Sequence, residues 1–577
     1  MAGHYTRAKM HGAENSFTKH KLLRMSLNDG SGESDGSMEV DENKNDNEVE
    51  TPFPSNKSKI SEKEAKSTKV ERGKKSDFKE NGWTFRFLLI LLTAYLVVPG
   101  IGYTMTSLNA PADLIKEFMN ETKFKRDGEW MSTDAVDSLF GLLVAVVGVG
   151  SAVGSLTASI IADKFGRKLS IILASVTGLI GVLLMALCRV GSSYEMLFVG
   201  RTLTGFTLGW GLSLAPAYLV EMAVPSMRGN VALLNQLFQS FSFFLAQVMG
   251  YTELLGNEQY WHYLLGFPII FFGLQIILLP FCPESPRYLL MNKNDTEGAT
   301  RALQMIRNRK NVEEDIAMLH QELKESATEA EVSVIQLFKS PLLRRPLVTA
   351  IVMGLQQNWC GMNAILFFST QLFKSAGLDD RNARYATSGT GLIFFLCNVF
   401  AIFLLTRFGR KTLFQMGTIG MAVCSAVIAL TMLYQNEVSA LRYVNIAVSL
   451  FVMVCYSLGP VCVFWVMLSE LFPNSARGTG FSIAILCATL SFFSHSYIFP
   501  ILLSNLHSYT FFVFCGIDVA MAIFIHFYVP ETKDKTFAEI AKSWSKSTDV
   551  DLKLTDSVSV NEDIPVGTEK NSEPSPQ

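Results

Sequence analysis

Four carboxamides stand where carboxamides are costly: Gln247, Gln357, Asn358 and Asn363 each interrupt a long apolar run. An amide taken out of water without a partner costs about 2–7 kcal/mol, so each of these groups must find one. A carboxamide both donates and accepts hydrogen bonds. A set of them therefore suits the hydroxyls of a neutral polyol, while an aromatic face suits the C–H surface of the same solute. Trp465 is the candidate for that face. Gln357 and Asn363 lie six residues apart, about 120° round a regular helix, and are expected to fall within one broad half of their segment. The competing role for these amides is to link helices to one another.

A second set is ionic. Arg167, Glu221, Arg228, Arg410, Glu470 and Arg477 lie at the ends of apolar runs, with Arg201, Glu284, Arg287 and Glu531 in support. Carboxylate and guanidinium on neighbouring helix ends can form bidentate pairs. Drawn between two bundles, such pairs would clamp them shut on one side and bias a two-state equilibrium. The simpler reading is basic loops facing the cytoplasm with surface ion pairs of about 0–1 kcal/mol each.

Both sets need apolar elements to hold them. The chain has 577 residues, 49% apolar and only 18% charged, against about 25% charged in soluble domains. A bilayer core about 30 Å thick is crossed by about 20 residues of helix. Apolar segments of such length lie near 86–107, 138–161, 169–189, 195–220, 231–252 and 262–281. Six more lie near 346–373, 386–406, 412–434, 442–468, 478–503 and 509–529. In lipid, helices satisfy their own backbone groups without closing a barrel. The expected fold is all-α and polytopic, with spans 1 to 12 in two six-helix bundles, 86–281 and 345–530. Between them, 282–344 is polar and carries Val312, Ile316, Leu319 and Leu323 at helical spacing, which predicts short amphipathic helices.

Residues 1–85 hold an acidic run (Glu39 to Glu50) and a basic one (Lys57 to Lys75), a composition expected to stay disordered. Residues 531–577 read as a second soluble tail. Basic residues in loops 2–3 and 8–9 put those loops, the 282–344 linker and both tails in the cytoplasm. Asn120-Glu121-Thr122 is then a glycosylation acceptor in the first outer loop, which also carries Lys123, Lys125 and Arg126.

The halves repeat their punctuation. Asp163-Lys-Phe-Gly-Arg-Lys168 follows span 2, and Thr406-Arg-Phe-Gly-Arg-Lys411 follows span 8. Glu221 with Arg228-Gly229 recurs as Glu470 with Arg477-Gly478, and Pro283-Glu-Ser recurs as Pro530-Glu-Thr. Parallel repeats of this kind build two pseudo-symmetric bundles with a site between them near the midplane.

These residues, with Gly102-Tyr103, Asn109-Ala-Pro111, Gly200-Arg201, Gly361-Met-Asn-Ala364 and Trp465, resemble the sugar porters of the major facilitator superfamily. They are most similar to the animal facilitative glucose transporters, over about 85–540. The resemblance implies a major facilitator fold and a plasma-membrane protein that moves a hexose by facilitated diffusion through alternating access. It turns the amide side of span 7 inward, places Phe367 and Phe368 where the family has gating aromatics, and gives the ionic set the clamp role. Thr104 stands where proton-driven porters carry an Asp, which favours uniport. The alternatives are a proton-coupled sugar or polyol symporter, with Asp518 in span 12 as the ionisable candidate, and a non-transporting sugar sensor.

The chain departs from glucose carriers at Gly354-Leu-Gln356, Asn358, Phe394, Ser457, Cys462, Phe464, Thr489 and Phe492, where hydroxyl partners or prolines are replaced. Hexose is the expectation, with D-glucose itself the less secured member. Ser159 and Thr406 replace a Gly and a Glu in the ionic motifs. A net charge of −2 excludes the basic footprint of nucleic-acid binding. Nine scattered Cys give no metal-ligand or disulfide spacing. No phosphate loop, HExxH or nucleophile elbow occurs, so no cofactor, metal or enzymatic activity is expected.

Overall fold

The computed structural model describes residues 83–545 except 329–331, 376, 436, 439 and 536. The tail expected over 1–85 lies almost wholly outside the described residues, as does 546–577. Among the described residues there is no strand.

The twelve spans follow in order. The first half contains Phe85–Thr106, Thr133–Phe165, Arg167–Leu187, Glu195–Met222, Arg228–Met249 and Trp261–Phe281. Span 7 is two helices, Pro341–Trp359 and Met362–Ser375. The break falls at Cys360 and Gly361, and Gly361 has φ +78°, a conformation that glycine adopts without steric cost. The rest are Asp380–Arg407, Arg410–Tyr434, Leu441–Glu470, Asn474–Leu506 and Thr510–Tyr528. Among the described residues, ten helices are long and apolar enough to cross a membrane. The count differs from twelve because span 7 is broken and spans 11 and 12 run together over Ser475–Tyr528.

Loops 2–3 and 8–9, both termini of the described chain and the linker gather at one end, here the linker end. There Thr84 Oγ1 donates to the Ile306 carbonyl at 2.6 Å, and Val332 N donates to the Ser475 carbonyl at 3.0 Å. The linker forms helices Pro286–Asn292, Thr296–Arg307, Glu313–Thr328 and Val334–Lys339. Leu319 buries its side chain against Leu290 and Ala299, so the expected amphipathic face is used within the linker itself. At the far end the stretch read as the first outer loop holds a further helix, Ala112–Asp127.

Small residues set the approach of spans 2 and 4. A Cβ added to Gly205 would sit 3.0 Å from the Gly150 Cα, and one added to Gly154 would sit 2.6 Å from the Phe206 carbonyl oxygen. Such contact is how helices associate where lipid removes the hydrophobic drive.

Candidate functional site

A cavity lies between the halves. The empty space in it, with the open mouth included, is ≈ 870 Å³. Span 5 contributes Gln236, Gln239 and Phe243, and span 7 contributes Gln357, Asn358, Met362, Asn363, Leu366 and Phe367. Spans 8, 10 and 11 add Phe394, Tyr456, Trp465, Thr489 and Phe492. No lining residue carries a formal charge.

The amides are not equivalent. Asn363 Nδ2 donates to Asn358 Oδ1 at 2.9 Å, and Asn358 Nδ2 donates to the Ala488 carbonyl at 2.8 Å. This pair bridges the break in span 7 and ties it to span 11. The side chains of Gln236, Gln239 and Gln357 make no hydrogen bond among the described residues, although they line the cavity. All their bonding capacity is left for a solute.

Gln247 is elsewhere. It is buried, does not line the cavity, and donates from Nε2 to Thr390 Oγ1 across the halves at 3.4 Å. Expecting it among the cavity amides is corrected by depth: it lies on the same helix, nearer the far end. Gln236 and Gln239 were missed. The available signal was two amides at i and i+3 followed by Phe243 at i+7, one helical face of span 5.

Aromatic residues form one wall. Phe394 stacks with Phe243 at 5.9 Å and with Tyr456 at 6.0 Å between centroids. Phe492 meets Phe367 edge-on at 5.6 Å. Trp465, half-buried, packs on Phe464 and Phe481. Phe368 does not reach the cavity; it meets Phe140 of span 2 and Phe499 of span 11. The Phe replacements at 394 and 492 thus line the cavity, whereas Ser457 is buried and donates to the Met453 carbonyl at 2.8 Å.

The far end is closed by contacts between the halves. Asn109 Nδ2 donates to the Leu366 carbonyl at 3.0 Å and to Ser369 Oγ at 2.9 Å, and Thr370 N donates to Asn109 Oδ1 at 3.3 Å. Lys374 pairs with Asp113 at 2.7 Å and with Asp380. Arg381 pairs with Glu253 at 2.7 Å. Arg384 donates from Nη1 to the Gly250 carbonyl at 2.9 Å and to that of Gly256.

The ionic set at the linker end does something different from the expected clamp. Arg167 pairs with Glu221 at 3.2 Å, while the backbone N–H groups of Arg167 and Lys168 donate to Glu284 Oε1 at 3.1 and 3.0 Å. Ser285 Oγ also donates to Glu221. The second half repeats this: Arg410 pairs with Glu470 at 3.2 Å, its N–H donates to Glu531 at 2.8 Å, and Thr532 Oγ1 donates to Glu470 at 2.6 Å. Every one of these bonds stays within one half or joins it to the residues directly after its sixth span. Here each carboxylate finds its cation locally, whereas the far-end contacts cross between the halves. Burial pushes the Glu284 carboxyl above the usual carboxylate range, against its backbone donors.

The supporting residues also differ in place. Arg228 reaches Glu322 of the linker at 3.0 Å. Arg477 donates to the Phe472 carbonyl at 3.5 Å in its own half. Arg287 is half-buried in the first linker helix. Arg201 is not at the linker end: it is buried toward the far end of span 4 and donates to the carbonyls of Thr104 and Val144. Thr104 itself donates to the Ile101 carbonyl at 2.7 Å. Asn120 lies inside the helix Ala112–Asp127, where its Oδ1 accepts from Met131 N at 2.9 Å.

The comparisons with known proteins agree with this architecture. The family model described as "Sugar (and other) transporter" matches residues 91–544. Solute carrier family 2, facilitated glucose transporter member 3 of Mus musculus is 35% identical over 443 residues, 77% of this chain and 90% of that one. Member 14 of Homo sapiens is 34% identical over 443 residues, 77% of this chain and 85% of that protein. Among solved structures, the partially occluded inward-open xylose transporter XylE from E. coli superposes with TM-score 0.66 at 24% identity. That match covers 78% of this chain and 100% of the other, and it speaks to the fold alone. On this evidence the chain belongs to the sugar (and other) transporter family, as a multi-pass membrane carrier with the major facilitator fold.

Proposed function

We propose that the chain carries a neutral hexose-class sugar across its membrane by facilitated diffusion, the two halves rocking about the cavity. One observation carries this reading: the cavity between the halves is lined by amides and aromatic rings with no charged residue, and contacts between the halves cross its far end. A neutral polyol fits such a lining; an anion would meet no cation in it. Gln236, Gln239 and Gln357 serve as hydroxyl partners, Asn358 and Asn363 hold the span 7 break, and Trp465 faces the ring. Phe367 acts as the gating aromatic, with Phe368 behind it in the seam. The names of the curated relatives, facilitated glucose transporters, support the substrate class.

Uniport is favoured because Thr104 carries no titratable group and nothing charged lines the cavity. The linker end is cytoplasmic, which places both tails inside, the far-end seam outside, and the Asn120 sequon on the outer face of a plasma-membrane protein. In this state the carrier opens inward. The networks around Glu221 and Glu470 keep each half rigid as it rocks, in place of a clamp between halves in this conformation.

The test is counterflow in proteoliposomes holding the purified full-length chain. Labelled D-glucose, D-fructose, inositol and urate are offered in parallel. The expected result is exchange of at least one hexose, independent of a pH gradient, with none of the urate anion. Exchange of urate alone, or of no hexose, removes the proposal.

A further inference from the structure

Behind the cavity, inside the second half, Asp518 of span 12 is fully buried, and its carboxyl oxygens meet no donor in good hydrogen-bond geometry, the Gln356 amide being the nearest. It does not line the cavity. The side chains beside it are Gln356 of span 7 and the Cys424 thiol of span 9. Cys360 of span 7 and Cys515 of its own helix are also close enough to feel its charge. His495 of span 11 packs on Phe514, one turn before Asp518. Its ring nitrogens are likewise unpartnered. No Lys or Arg stands among these neighbours.

A carboxylate sealed in such a place would be an uncompensated charge, and a group in that position takes up a proton instead. The neutral acid has one O–H donor. Gln356 has the matching vacancy: its Nε2 donates to Thr418 Oγ1 at 3.0 Å, and Thr418 passes its own proton to the Phe414 carbonyl at 2.9 Å. That leaves Gln356 Oε1, buried and without a donor. Gln356 is the residue before Gln357, about 100° round the same helix, so one amide turns into the bundle while its neighbour lines the cavity.

We propose that Asp518 is a positioning residue: as a neutral carboxylic acid it donates to Gln356 and so fixes the turn of span 7 that presents Gln357 and Asn358 to the solute. Its proton is structural and is not carried with the solute, since the site opens to neither the cavity nor the surface. This rests on the transport reading for one arm of its test only.

Asp518→Asn keeps a donor and an acceptor in the same shape, and Asp518→Leu keeps the volume alone. The transport arm is counterflow of labelled 2-deoxy-D-glucose at pH 6 and pH 7.5. The expected result is a KM for Asp518→Asn within about twofold of the parent at both pH values, with Asp518→Leu raised about tenfold. The second arm needs no substrate: thermal unfolding of the purified full-length chain, in which Asp518→Asn melts with the parent and Asp518→Leu melts several degrees lower. If the parent carries no 2-deoxy-D-glucose, the melting arm still decides. An Asn variant as damaged as the Leu variant overturns the proposal, as does a Leu variant that melts and transports like the parent. Parent transport that follows pH and loses that dependence in Asp518→Asn would make Asp518 a proton carrier instead.

Discussion

Replacing Gln357 with alanine raises the KM for the transported sugar about ten- to a hundredfold, while the protein reaches the membrane in normal amount. The side chain lines the cavity and makes no hydrogen bond among the described residues. Its removal therefore leaves the empty protein intact and takes a partner from the solute. A buried polar group left unpaired costs about 1–3 kcal/mol, and each 1.4 kcal/mol is tenfold in affinity. Gln247→Ala behaves differently: that amide bonds Thr390 in the closed seam, outside the cavity, so the KM stays within about threefold. Uptake kinetics of the two variants side by side check the assignment. Equal effects in both, or none in Gln357→Ala, would remove Gln357 from the site.

Arg384→Leu shifts the carrier toward the state open at the far end by at least about tenfold. The guanidinium is 6% exposed and spans the seam to the carbonyls of Gly250 and Gly256, while Asp380 at 3.0 Å balances its charge. Hydrogen bonds to charged groups contribute about 1.5–3 kcal/mol each. Both would be lost from one conformation only, because opening the far end breaks them anyway. A ligand or a substitution moves such an equilibrium only by what it changes differently in the two states. The readout is the rate at which a membrane-impermeant maleimide, added outside, labels a Thr390→Cys variant. Labelling should quicken about tenfold on adding Arg384→Leu; an unchanged rate would mean that the seam does not hold the far end shut.

The spans, the internal repeat and the family were legible because each depends on composition and order along the chain. Depth was not. Gln236 and Gln247 lie eleven residues apart on span 5, almost exactly three turns, so helical periodicity places them on one face. About 16 Å of helix axis separates them, which is the difference between cavity and seam. Only the closure of the far end reveals which amide meets solvent. The ionic motifs present a similar case. The chain shows that Arg167 and Glu221, or Arg410 and Glu470, belong together, but the partner each chooses depends on which side of the molecule is open. In this structure the pairs close within their halves. Arg201 illustrates the same loss: its place in span 4 is plain, yet its burial near Thr104 needs the packing of spans 1, 2 and 4. The aromatic wall of Phe394, Phe243 and Tyr456 joins residues from both halves, and no local pattern links them.

Alternating access about a shared cavity is tested most directly by tying the two halves together at the far end. Asn109 Nδ2 and Ser369 Oγ are 2.9 Å apart across the seam, so cysteines at both positions should oxidise to a disulfide. The account predicts that oxidised Asn109→Cys/Ser369→Cys protein loses hexose counterflow almost completely and regains it on reduction, whereas either single variant ignores the oxidant. Full counterflow by the cross-linked protein would contradict it, because the halves would then carry the solute without separating.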